Sequence, residues 1–79
     1  MKKYIIQISG WNKGFKKVSS TKLFREKLGL GIREAKSNTD LILDRRELEI
    51  LFNNKQKAIE FSKSMEALGA IVKFNESVS

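Results

Sequence analysis

The side chains here whose type and spacing suggest chemistry are cations. Between positions 13 and 36 lie eight basic residues, Lys13, Lys16, Lys17, Lys22, Arg25, Lys27, Arg33 and Lys36. Only Glu26 and Glu34 oppose them, so this stretch carries +6 of the chain's formal net charge of +7. Cations at that density attract a polyanion, either nucleic acid or an acidic protein face. The plainer alternative is a solvated basic surface. Val18 and Ile32 fall among these charges, and an apolar spot ringed by Lys and Arg suits an acidic protein surface: burial supplies affinity, charge supplies steering and register. Ile32 fits a core position equally well.

Other chemistries lack their residues. The 79-residue chain has no cysteine and no histidine. That excludes disulfides and thiolate metal sites, and it removes the commonest general base and metal ligand. A nucleophile–base pair would have to be built from Ser with Lys, or from carboxylates, and the nine acidic residues are scattered. Gly29-Leu30-Gly31 lacks the third glycine of a dinucleotide fingerprint and is not followed by the Gly-Lys-Ser/Thr of a phosphate loop. The expectation is a binding domain, not an enzyme, with no cofactor and no metal. No apolar run approaches the roughly 20 residues of a membrane helix. Lys2 and Lys3 precede a short apolar run, but Gln7 and Ser9 interrupt it, so it reads as a strand and not as a signal peptide. Met-Lys-Lys-Tyr reads as a natural start. No membrane partner and a cytoplasmic location are expected.

The element that must position the cations is the corner Gly29-Leu30-Gly31. Glycine takes φ > 0 at little cost, and the first of the pair suits the left-handed position after a helix end. Leu30 can then point inward between two helices. Residues 3–9 alternate as a strand, with Tyr4, Ile6 and Ile8 on one face and Ile5 and Gln7 on the other. Residues 10–16 form a loop in which Trp11 and Phe15 cover the end of the core. The spacing predicts a helix over 17–28, with Leu23, Phe24 and Leu28 on one side and Lys17, Val18, Thr21, Lys22 and Arg25 on a neighbouring arc. Ser20 offers a later start by acting as an N-cap. After the corner, Ile32, Ala35, Thr39 and Ile42 recur at helical spacing. That helix runs to 38 or to 43, because Ser37-Asn38-Thr39-Asp40 is poor helix material and Leu41-Ile42-Leu43 also reads as a short strand. Residues 47–52 alternate as a strand. Asn53 and Asn54 supply an N-cap for a helix over 55–68 with Ala58, Phe61, Met65 and Leu68 buried, and Gly69 is its stop. Residues 70–74 form the last strand. The division is one domain over 1–75 and a polar tail over 76–79. The order strand, helix, helix, strand, helix, strand implies an α+β two-layer sandwich, a small sheet with its apolar face under the helices.

Gly29-Leu30-Gly31-Ile32-Arg33-Glu34-Ala35-Lys36 resembles the GLGLKEAK signature of the C-terminal domain of the bacterial large-subunit ribosomal stalk protein, the seven/twelve protein. The similarity extends over most of the chain. Lys17-Val18 matches the pair that opens the family's first helix, Lys22 and Arg25 stand where the family has basic residues, and Glu66-Ala67-Leu68-Gly69 resembles its EEAG run before the last strand. The resemblance implies a three-stranded antiparallel sheet covered by helices on one face. It also implies docking of translational GTPases, elongation factors G and Tu among them, through the first two helices. Carried over by position, the partner-binding residues are Lys17, Val18, Thr21, Lys22, Arg25, Gly31, Ile32 and Lys36. The chain departs from the family in lacking its dimerisation domain and hinge, in having Thr21 at an apolar position, in about three extra residues near Ser37-Asn38-Thr39, and in being strongly basic. The charge points to a different or additional partner, while the resemblance implies elongation factors or another ribosome-associated protein. A nucleic-acid-binding module using the same cations on phosphates is the alternative. A peptide-binding adaptor for a Clp-type protease follows from fold analogy alone, and the missing histidine counts against it.

Overall fold

A computed structural model describes residues 2–78. The elements follow in the order β1 (Lys2–Trp11), α1 (Lys17–Leu28), α2 (Ile32–Leu43), β2 (Leu48–Phe52), α3 (Lys55–Ala67) and β3 (Ala70–Val78). The sheet is antiparallel, ordered β2-β1-β3. The fold is the α+β arrangement that the order of elements implied.

β1 is central because its alternation fills the core. Tyr4, Ile6 and Ile8 are buried and stand opposite Phe52, Ile50 and Leu48 of β2. On the other side Ile6 and Ile8 face Phe74 and Val72 of β3. This apolar face lies under the helices: α2 and α3 both contact β1, and α1 packs against α2. Phe24 of α1 and Phe52 of β2 both meet Phe61 of α3, at ring centroid distances of 5.6 and 5.5 Å. The opposite face carries a polar ladder. Gln7 Nε2 donates to Glu49 Oε2 at 3.2 Å, and Asn75 Nδ2 donates to Gln7 Oε1 at 3.1 Å. Trp11 and Phe15 pack at the core's end, as expected.

Several boundaries differ from those read in the sequence. Residues 76–78 are not a tail: Glu76, Ser77 and Val78 extend β3 opposite Tyr4, Lys3 and Lys2, and position 79 lies outside the described residues. A ladder needs backbone groups and no apolar side chain, so a polar run can complete it. β1 likewise continues past residue 9 to Trp11, through a register shift between Ile8 and Gly10. Leu41-Ile42-Leu43 is helix, not strand, because Ile42 continues the buried stripe of Ala35 and Thr39. Its end is a Schellman-type turn: Arg45 N–H donates to Ile42 O and Arg46 N–H to Leu41 O, each at 3.0 Å. Glycine usually takes the left-handed position of this turn. Here Arg45 takes it, at φ 59°, with its guanidinium 4.8 Å from the Trp11 ring. Trp11 Nε1 donates to Leu43 O at 3.0 Å, which ties the end of α2 to the end of β1.

Candidate functional site

α1 and α2 owe their close contact to small polar residues. Ser20 and Thr39 are both buried, and their hydroxyl oxygens lie 3.1 Å apart across the helix pair. Thr21 Oγ1 lies 3.0 Å from Thr39 Oγ1 and 3.1 Å from Lys17 O, so one hydroxyl proton serves two acceptors. Ser20 is thus a packing residue at the end of the first helical turn, not an N-cap, and α1 starts at Lys17, the earlier of the two expected positions. The spacing of Ser20, four residues before the buried Phe24, is the sequence signal that puts it on the same helical stripe. We expect Thr39→Val to cost about 1–3 kcal/mol, because Ser20 then keeps a buried hydroxyl without its partner. Adding Ser20→Ala should recover much of that loss. Urea unfolding of the two single variants and the double variant checks this, and a fully additive double variant would contradict the coupling.

The corner between the helices works unequally. Gly29 takes the left-handed conformation at φ 67°, and its N–H donates to Arg25 O at 3.1 Å, ending α1. Gly31 has no positive φ. It is the extended N-cap of α2 at φ −69°, ψ 164°, and a Cβ built there meets open space. Leu30 is half-buried and packs against the core, as expected.

Between α1 and α2 runs a groove of about 690 Å³. Six of the eight expected residues line it: Val18, Thr21, Lys22, Arg25, Ile32 and Lys36. Lys17 lines a smaller cavity of about 320 Å³ that continues it, sharing Val18, Thr21 and Lys36. Gly31 lines neither. Of the eight cations between 13 and 36, Lys17, Lys22, Arg25 and Lys36 border the groove, whereas Lys13, Lys16, Lys27 and Arg33 do not. Sequence reading did not place Glu26, Asp40 or Leu43 here. Lys22 Nζ approaches Glu26 Oε1 to 3.8 Å, with both side chains well exposed, a pair worth little to stability.

Ile32 belongs to the surface and not the core: it is 53% exposed, and Val18 is 76% exposed. The 3-4-3 spacing that included Ile32 is a true helical face, but α2 begins at Ile32, and the first residue of a helix can project beyond the layer that its later turns cover.

Fold and groove define a small α+β domain with a concave, partly apolar surface between its first two helices, bordered by cations. Among the described residues no three acidic side chains gather as metal ligands, and no helix is long and apolar enough to cross a membrane. Comparison with protein-family models, curated proteins and solved structures finds no match.

Proposed function

We propose that this chain is a non-enzymatic protein-binding domain that docks an acidic protein surface in the α1–α2 groove. One observation carries the reading: Val18 and Ile32 are large aliphatic residues left exposed in a groove they share with Lys22, Arg25 and Lys36. Covering an aliphatic side chain of this size contributes about 1.5–3 kcal/mol. The surrounding cations supply steering and register. The resemblance of residues 29–36 to the ribosomal stalk signature supports a translational GTPase, or another ribosome-associated protein, as the partner, and a cytoplasmic setting.

Nucleic acid remains the rival, since the same cations suit phosphates. The aromatic residues Tyr4, Phe52 and Phe74 stand in register with the helix-covered face of the sheet, so they offer no base-stacking platform on its open face. A phosphate-binding surface also leaves the exposure of Val18 and Ile32 without a role.

Titration of the chain with elongation factor G, followed by gel filtration of the mixture, tests the reading. We expect a complex that Lys17→Glu with Arg25→Glu weakens at least roughly tenfold, the effect of reversing two charges bordering an interface. Absence of a complex, or affinity unchanged by the double reversal, would reject it. Sequence-independent RNA binding that falls steeply with salt would favour the rival.

A further inference from the structure

The two carboxylates bordering the groove are not equivalent. Glu26 lies on α1 at the corner end, where Lys22 already answers its charge at 3.8 Å. Asp40 lies on α2 at the other end, in the cavity that continues the groove past Lys36. It is exposed. Lys17 and Lys36 border the same cavity, yet among the described residues the Asp40 carboxylate joins no ion pair. Its charge is therefore available to whatever occupies the groove.

The two cavities share Val18, Thr21 and Lys36, so one element of a partner can span both. Along α1 the distance from Val18 to Gly29 is roughly 17 Å at 1.5 Å per residue, which suits a partner helix of about three turns. We infer that this partner element has a charge direction: acidic side chains towards Lys22 and Arg25, and a Lys or Arg at the end that meets Asp40. A uniformly acidic element would set like charges against Asp40, and like-charge contacts are what interfaces use to reject a wrong register or orientation. Asp40 thereby fixes which way round the partner lies. The inference rests on the docking reading above.

Opposite signs in one assay test it. Elongation factor G is titrated against the wild-type chain, Glu26→Gln and Asp40→Asn, with folding checked by circular dichroism. Glu26→Gln frees Lys22 and should tighten binding. Asp40→Asn should weaken it about twofold to fivefold, the range for one exposed ion pair, and Asp40→Lys should weaken it further. If both neutralisations tighten binding, Asp40 meets no cation and the inference is overturned while the docking reading stands. If elongation factor G binds none of these proteins, and an oligouridylate binds with both neutralisations tightening it, the docking reading fails and the inference falls with it.

Discussion

Gly69→Ala should cost this domain about 2–5 kcal/mol, combining a forced left-handed backbone with local overpacking. Gly69 ends α3 at φ 101°, where its N–H donates to Glu66 O at 3.0 Å. A Cβ built there comes 3.0 Å from Phe15 Cα and 3.4 Å from Phe15 N. Backbone cannot swing aside as a long side chain can. The surrounding loop is pinned to the same turn: Asn12 N–H donates to Gly69 O at 2.7 Å, and Lys16 N–H to Leu68 O at 3.0 Å. Because Lys16 is the N-cap of α1, displacing Phe15 disturbs the start of the helix that forms one wall of the groove. For a domain of this size each kcal/mol lowers the melting temperature by roughly 4–8 °C. Thermal unfolding should therefore show a fall of about 8 °C or more by that scale. Gly31→Ala is the control: its Cβ meets open space and its φ suits any residue. Alanine is a poorer N-cap than glycine, so this variant should lower the melting temperature slightly but far less than Gly69→Ala, and a larger effect on binding would report the partner's approach. An unaltered Gly69→Ala would mean that the loop yields without cost.

Phe61→Ala should be comparably severe, at about 3–5 kcal/mol for a buried aromatic truncated to alanine. Phe61 is 1% exposed and joins three elements: its own helix, Phe24 of α1 and Phe52 of β2. Removing the ring leaves a space bordered by a helix on one side and a strand on the other, which cannot both collapse into it. Native stability in general is about 5–15 kcal/mol, so this one truncation brings the chain near its unfolding threshold. Phe61→Leu keeps most of the volume and should cost considerably less. Urea unfolding followed by the fluorescence of Trp11, the chain's single tryptophan, measures both. Equal losses for Leu and Ala would show that ring contacts, not filled volume, carry the effect.

What could be read beforehand followed from local periodicity. Tyr4, Ile6 and Ile8 alternate, and all three are buried. Ala58, Phe61 and Met65 recur at helical spacing and are buried on α3, whereas Leu68, expected on the same stripe, is only half-buried, because α3 ends at Ala67 and Leu68 is its C-cap. Asn54 caps that helix, accepting from Lys57 N at 3.0 Å, and Gly29 and Gly69 punctuate as their residue type suggests. The end of α2 was illegible because its left-handed residue is Arg45, not glycine. Trp11 holds that end from 32 residues away, a contact no window contains. The length of β3 was hidden because residues 75–77 are polar, and their pairing depends on the backbone of β1.

By itself the sequence determined the six elements and their order, the position of the corner at Gly29, and the concentration of charge between residues 13 and 36. These properties are local: a side chain's period, a glycine's φ and a count of charges need no distant partner. The tertiary structure decided how the charges are divided. It placed Lys17, Lys22, Arg25 and Lys36 along one groove, left Arg33 outside it, exposed Ile32, and buried Ser20 against Thr39. The physical reason is that α1 and α2 meet through hydroxyl groups 19 residues apart in the chain. Which cations face the same way follows from how the two helices pack against each other, through this contact and the buried Phe24, Ala35 and Ile42, and not from either helix alone.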